Sequence, residues 1–117
     1  SQIKQKQRQI ASQRMIQNAK DATAIITNPT HISIAIRYDR EKDSAPVVIA
    51  KGADVLAMKI REIAKENDIP MIENVPLARM LYRKVEVDQE VPAEMYQAIA
   101  EVLVAVYKIK NRYKKNK

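Results

Sequence analysis

Cysteine, tryptophan and phenylalanine are absent from this sequence, and histidine and glycine occur once each. Without cysteine there is neither a disulfide framework nor a thiolate nucleophile, and the single histidine, His31, excludes most histidine-based metal sites. The single glycine, Gly52, cannot form a glycine-rich phosphate loop or a nucleophile elbow, which argues against the common nucleotide-binding proteins and against conventional hydrolases. The sequence therefore predicts no cofactor and no metal.

The length of 117 residues suits one domain with a modest core and is too short for two independent cores. Apolar residues make up 46% of the chain and are mainly Ile, Val, Leu, Met and Ala, so we expect an aliphatic core. No apolar run approaches the roughly 18 to 20 residues that span a bilayer, so we expect these residues to form a soluble unit.

The net charge of +7 is concentrated at the two ends of the chain. Residues 1–20 carry five basic side chains and no acidic one, residues 108–117 carry six and none, and residues 21–107 carry ten against fourteen. Two solvated basic tails are the simplest interpretation, and attraction to an anionic membrane surface is the functional alternative. Nucleic acid is not an expected partner, because the central part is acidic and a basic face with stacking aromatics is missing.

The hydrophobic pattern predicts an α/β fold. The isoleucines at 32, 34 and 36 alternate with polar or small residues, which is typical of a strand with one buried face. The predicted elements are an exposed helix at 1–18, strands at 23–27, 31–38, 47–50 and 71–73, and helices that begin at residues 53, 76 and 92. We expect a small, mixed four-stranded sheet flanked by helices, with a long protruding N-terminal helix.

Two connecting segments carry further expectations. Residues 39–46 are charged and then turn-like, so they predict an exposed loop. Gly52 follows the third strand, where we expect the backbone either to adopt a positive φ or to approach another element closely.

The strongest candidate for chemistry is the dipeptide Asn28-Pro29, which follows a short apolar strand. The side-chain nitrogen of an asparagine can attack its own main-chain carbonyl carbon, close a five-membered succinimide and expel the nitrogen of the next residue. The competing reaction, in which the next backbone N–H attacks the side chain, is closed because proline has no N–H. The pair therefore favours cleavage, provided that the fold holds the attacking nitrogen about 3 to 3.5 Å from the carbon.

Thr30 and His31 follow directly, and supporting roles can be assigned to both. The main-chain N–H of either residue is a candidate donor to the Asn28 carbonyl oxygen, on which charge develops. The His31 side chain is a candidate for passing a proton to the departing Pro29 nitrogen. A structural interpretation stays open, because Asn-Pro pairs usually mark turns and a lone histidine is more often a hydrogen-bonded strand residue.

The segment TAIITNPTHISIAIRYD resembles the cleavage-site segment of the FlhB/YscU family, the export-switch proteins of flagellar and injectisome type III secretion. The likeness continues in order and spacing through APVVIAKGAD, KIREIAKENDIPMIENVPLARMLY and VPAEMYQAIAEVLVAVY, and it covers about residues 13 to 108. The AKGAD segment is more similar to the flagellar branch than to the injectisome branch.

The resemblance implies that residues 1–20 are an exposed helical linker towards a transmembrane region that is missing from this sequence. Residues 21–117 would form one cytoplasmic switch domain at the bacterial inner membrane. The resemblance also implies one intramolecular self-cleavage, not turnover catalysis, at a site formed by Asn28, Pro29, Thr30 and His31. The fragments 1–28 and 29–117 would stay associated, and the cut would switch export from rod and hook type to filament type substrates.

The partners that the resemblance implies are export substrates of both types, a hook-length or needle-length control protein, and other export-gate and export ATPase components. An apolar patch for early substrates is implied between the loop before the third strand and the last helix, at Ala45, Pro46, Ala100 and Leu103. Core packing explains Ala100 and Leu103 equally well.

Two other functions remain open at this point. A non-cleaving adaptor would dock export substrates or partner proteins through its helices and would use Asn28-Pro29 only as a turn. A nucleic-acid module would bind through the basic ends of the chain, with a steep dependence on salt.

Overall fold

The structure is a computed structural model that describes residues 2–29 and 31–115, with side chains described for 8–29 and 31–111. Its elements are α1 (Gln2–Asn18), β1 (Ala24–Asn28), β2 (Ile32–Arg37), β3 (Val47–Ala53), α2 (Val55–Glu66), β4 (Met71–Glu73), α3 (Val75–Lys84) and α4 (Tyr96–Lys115), with short 3₁₀ helices at Ala19–Asp21 and Ala93–Met95. The predicted mixed α/β fold is confirmed. Within the described residues, no helix is both long enough and apolar enough to cross a membrane.

The four strands form one sheet in the order β3-β2-β1-β4. β1 pairs with β2 as an antiparallel hairpin and with β4 in parallel, and β2 pairs antiparallel with β3. β1 therefore has hydrogen-bonded neighbours on both sides, and all five of its residues are buried.

Each face of the sheet packs against its own hydrophobic cluster. On one face, Ile26 and Ile34 pack with residues of α3 and α4, among them Leu81. On the other face, Ile25 and Ala35 pack with residues of α2 and with the end of α1. Because successive strand residues point to opposite faces, a short strand such as β1 supplies both clusters.

The first helix is exposed along most of its described surface, as predicted, but its C-terminal end is anchored. Ile16 in the last turns of α1 and Ala19 just after it are buried. Both belong to the cluster that includes Ile60 of α2. The chain therefore enters β1 from a fixed position on the domain.

The corner between β3 and α2 differs in detail from its prediction. β3 extends to Ala53, and α2 begins only at Val55. Gly52 serves the close approach, because a Cβ at this position would lie 2.6 Å from the Cβ of Leu56, and it does not adopt a positive φ. The positive φ of 51° belongs to Asp54, one residue before the helix.

The prediction of an exposed loop at residues 39–46 was wrong for most of its second half, of which only Ser44 is exposed. Ala45 and Pro46 are buried. Asp43 turns inward as well, because the Arg37 guanidinium donates two hydrogen bonds to its carboxylate, at 3.1 and 3.0 Å. This ion pair folds the loop back onto the domain, which the charged sequence of the loop did not reveal.

Candidate functional site

The Asn28-Pro29 bond lies at the turn of the β1–β2 hairpin. Asn28 is the last residue of β1 and pairs with Ile32, the first residue of β2. Pro29 is in the turn and is exposed to solvent. Thr30, which the sequence placed in the same site, lies outside the described residues. The scissile bond that we predicted therefore joins a buried strand to an exposed turn.

The carbonyl group of Asn28 has a hydrogen-bond donor in place. The main-chain N–H of His31 donates to the Asn28 carbonyl oxygen at 3.0 Å. Attack on a carbonyl carbon transfers negative charge to this oxygen, and a donor that is already positioned stabilises that charge. Of the two donors proposed from the sequence, the His31 N–H makes this contact, and Thr30 lies outside the described residues.

The Asn28 side chain is held at the margin of the core. The residue is 8% exposed, and no side-chain hydrogen bond within residues 8–29 and 31–111 involves its amide. Cyclisation requires the Asn28 side-chain nitrogen to rotate towards its own carbonyl carbon.

The His31 side chain points largely into solvent. It is 70% exposed, and its Nδ1 atom lies 3.9 Å from Oδ1 of Asp54, whose side chain is 80% exposed. A polar contact this exposed contributes little to stability. Among the described residues, no group of three or more His, Cys, Asp or Glu side chains could hold a metal ion.

Asp54 is the residue at this site that the sequence did not indicate. Its main-chain N–H donates to the carbonyl oxygen of His31 at 2.9 Å. The contact spans 23 positions of sequence and depends on the pairing of β2 with β3, in which Ile32 faces Ala53. The only signal nearby was Gly52, which drew attention to the corner but not to this residue.

The four residues proposed for substrate binding lie together at the other end of β3. Ala45, Pro46, Ala100 and Leu103 line one groove of about 190 Å³, together with Tyr38, Ser44, Tyr96 and Ile99. Ala45, Pro46 and Leu103 form its buried floor, whereas Ala100 and Tyr96 are exposed. Leu103 also belongs to the core cluster, so core packing by itself explains an apolar residue at this position of α4.

The Arg37–Asp43 ion pair holds the loop that forms one wall of this groove. The Asp39 main-chain N–H donates to the same Asp43 carboxylate at 2.9 Å. The hydrogen bonds from Arg37 and from Asp39 hold the pKa of the Asp43 carboxyl below its usual range. The same pairing raises the pKa of Arg37. The wall carrying Ala45 and Pro46 is thus fixed by a charged contact.

Replacing Asp43 by asparagine is expected to lower the free energy of unfolding by about 1 kcal/mol, because charge-assisted hydrogen bonds become neutral ones. In the wild type, the carboxylate contributes its full stability above the unfolded pKa of about 3.9 and loses it as the pH falls through the lower folded value. Urea unfolding at pH 7 and pH 3 should therefore show that the free energy of unfolding falls less between these pH values for Asp43→Asn than for the wild type. Asp21→Asn, at an exposed aspartate, is the control and should behave like the wild type.

The comparisons with known proteins agree with this fold. The model of the FlhB HrpN YscU SpaS family matches residues 1–106. The flagellar biosynthetic protein FlhB of Bacillus subtilis is 56% identical over 112 residues, which cover 96% of this chain and 31% of that protein. FlhB of Salmonella typhimurium is 49% identical over 108 residues, which cover 92% of this chain and 28% of that protein. The chain thus spans about a third or less of these relatives.

Solved structures show the same architecture. The crystal structure of the cytoplasmic domain of FlhB from Shewanella putrefaciens matches with a TM-score of 0.85 and 38% identity, over 89% of this chain and 80% of that one. A mutated EscU C-terminal domain matches with a TM-score of 0.75 and 34% identity, over 79% of this chain and 92% of that one. The fold is therefore of the class of the FlhB cytoplasmic domain and the EscU C-terminal domain. The chain belongs to the FlhB HrpN YscU SpaS family.

Proposed function

We propose that this domain cuts its own backbone once, between Asn28 and Pro29, and that the cut changes which substrates a flagellar-type export machine accepts. The observation that carries the proposal is the hydrogen bond from the His31 N–H to the Asn28 carbonyl oxygen, at 3.0 Å. It lies at the one bond for which the sequence provides both an attacking amide and a blocked side reaction. The reaction is intramolecular and occurs once per molecule.

The reaction follows from the groups present. The Asn28 side-chain nitrogen attacks the Asn28 carbonyl carbon and loses a proton, while the carbonyl oxygen takes up charge facing the His31 N–H. The bond from that carbon to the Pro29 nitrogen then breaks, and the nitrogen gains a proton. The exposed His31 imidazole is within reach of solvent and suits the transfer of this proton. Water later opens the succinimide that remains on Asn28.

The position of the cut supports a change of surface without loss of the fold. Pro29 and His31 are exposed, and the strand before the cut is buried between two neighbours. A free end at Pro29 can move away from the hairpin while β1 keeps its pairing with β2 and β4. An order-to-disorder change confined to a short segment is an established form of molecular switch.

The apolar groove is the second element of the proposal, as a site for early export substrates. It begins where β3 begins, at Val47, whereas the cut lies beside the end of β3, at Ala53. A strand of this length spans about 20 Å, so the two surfaces are separate. The cut therefore changes a recognition surface other than the groove, or it affects the groove indirectly through the strands that connect the two ends of the sheet.

Mass spectrometry of the purified chain tests the cleavage. We expect fragments 1–28 and 29–117, whose masses sum to that of the intact chain while the succinimide persists, and to that mass plus one water after it opens. A wild-type chain that remains whole after prolonged incubation at neutral pH would contradict the proposal and would favour the non-cleaving adaptor.

Ala100→Glu tests the groove, because it places a charge on the exposed wall without removing core volume. We expect binding of a purified hook-type subunit to weaken about tenfold or more, since a bound apolar partner would bury an unpaired carboxylate. Gln97→Glu adds the same charge on α4 outside the lining of the groove and should leave binding unchanged. Equal weakening in both variants would indicate a general charge effect instead of docking in the groove.

A further inference from the structure

Asp54 adopts a backbone conformation that an aspartate rarely takes. Its φ of 51° and ψ of −110° correspond to the first central position of a type II′ turn, which is normally occupied by glycine. A side chain at this position costs free energy, and such strain persists only where the surrounding structure imposes it. Asp68 and Asp88 also have positive φ, but they lie after α2 and in the segment between α3 and α4, away from the hairpin turn.

The usual reasons for an aspartate at this position do not apply. Asp54 precedes the first residue of α2, yet its side chain makes no capping hydrogen bond to that helix. The side chain is 80% exposed, so packing does not require it. The stability of the fold alone would be better served by glycine, and something other than stability accounts for the strain.

The contacts of Asp54 lead to the cut site. Its N–H donates to the His31 carbonyl oxygen at 2.9 Å, and its own carbonyl oxygen accepts from the Met58 N–H at 3.0 Å, which ties the corner to the first turn of α2. Its carboxylate is the group 3.9 Å from the His31 imidazole. His31 is thus held from β1 through its N–H and from the β3–α2 corner through its carbonyl oxygen.

We propose that Asp54 is a positioning residue for the self-cleavage. Its strained corner fixes the His31 peptide so that the His31 N–H stays on the Asn28 carbonyl oxygen while charge develops there. This inference rests on the proposed cleavage and adds to it a residue that does not touch the reacting atoms. The strain is retained because relaxing the corner would release His31.

Asp54→Gly separates positioning from stability. Glycine relieves the strain, so the urea midpoint of unfolding should rise. The cut should slow about tenfold, because the wider backbone freedom of glycine lets the corner sample other conformations and loosens the His31 peptide. Asp54→Asn keeps a polar side chain that tolerates positive φ, and it should cut within about threefold of the wild-type rate. A residue with a purely structural role would not move stability and rate in opposite directions.

Asp68→Gly is the matched control, because it makes the same change at another aspartate with positive φ that lies away from the cut. It should also raise the urea midpoint, and it should leave the rate of cleavage unchanged. An Asp54→Gly chain that is more stable and cuts at the wild-type rate would overturn the positioning role.

Amide hydrogen exchange distinguishes a failure of this inference from a failure of the proposed function. In an uncut Asn28→Ala background, Asp54→Gly should speed exchange of the His31 amide about tenfold, and Asp68→Gly should not. Unchanged exchange would overturn the clamp on His31 even if the wild type cuts. Faster exchange in a protein whose wild type never cuts would place the fault in the cleavage proposal and would remove the reaction that Asp54 is proposed to serve.

Discussion

Replacing Asn28 by alanine is expected to leave the chain in one piece under conditions in which the wild type is fully cut. The side-chain amide is the attacking group, and no other nucleophile adjoins the Asn28 carbonyl carbon on the same residue. The hairpin should survive the change, because β1 keeps its main-chain pairing with β2 and β4. The measurement is the intact mass after a fixed incubation, with far-ultraviolet circular dichroism to show that the fold is retained.

Asn18→Ala is the control for this prediction. Asn18 is an exposed asparagine at the end of α1 and is followed by alanine, so its removal should leave the cut at residue 28 unchanged. Cleavage that continues in Asn28→Ala would assign the reaction to water or to another residue and would exclude asparagine cyclisation.

Pro29→Ala examines the second half of the pair. Alanine restores a backbone N–H, which opens the route in which that nitrogen attacks the Asn28 side chain. We expect less cleavage and a new product that is one mass unit heavier and uncut, because deamidation converts the asparagine to aspartate or isoaspartate. A Pro29→Ala chain that cuts as fully as the wild type, with no deamidated product, would show that proline does not direct the reaction.

Ile26→Ala is expected to cause the largest loss of stability among the substitutions considered. Ile26 is 0% exposed in the middle of β1 and packs in the cluster formed with α3 and α4. Truncation of a buried isoleucine costs about 2 to 5 kcal/mol through lost burial and the cavity that remains. In the cut protein the same loss weakens the hold of the domain on fragment 1–28, which size-exclusion chromatography should detect as separation of the two fragments.

Ile10→Ala is the matched control on the same fragment. Ile10 is 49% exposed on α1, so its truncation should change the free energy of unfolding by less than about 0.5 kcal/mol and should leave the fragments together. Urea unfolding of both variants in the uncut Asn28→Ala background measures the change in the free energy of unfolding without any separation of the fragments. Equal effects at the two positions would show that α1 holds the fragment as strongly as the strand does, which contradicts the prediction.

The fold was predictable where local patterns determine it. The alternating isoleucines of β2 were sufficient to predict a strand, because one buried face leaves a periodic pattern. Apolar residues at helical spacing did the same for α2, with Leu56, Ile60 and Ile63, and for α4, with Ile99, Leu103 and Val106. The buried half of the β2–β3 loop was missed because the Arg37–Asp43 pair reads as two solvated charges in a sequence. Asp43 lies among charged residues along the chain, and only the folded geometry brings its side chain to Arg37.

The candidate site, too, was predictable only where it depends on residues adjacent in sequence. The chemistry of Asn28 and Pro29 depends on covalent neighbours and can be derived from the sequence. The contact of Asp54 with His31 depends on the register between β2 and β3, which no local pattern specifies. The groove residues were implied by the family resemblance alone. The structure places them together and adds Tyr38 and Tyr96 to the lining.

The interior position of β1 has a consequence for the form that the domain takes after a cut. Before the cut, β1 is covalently tethered to the rest of the sheet at an effective concentration on the order of millimolar. If β1 detaches, it therefore rebinds at once. Afterwards the domain is a complex of two polypeptides governed by mass action, so its stability depends on protein concentration. Because β1 is paired along both edges, release requires both ladders to break together. The lifetime of the cut domain is therefore set by a dissociation rate.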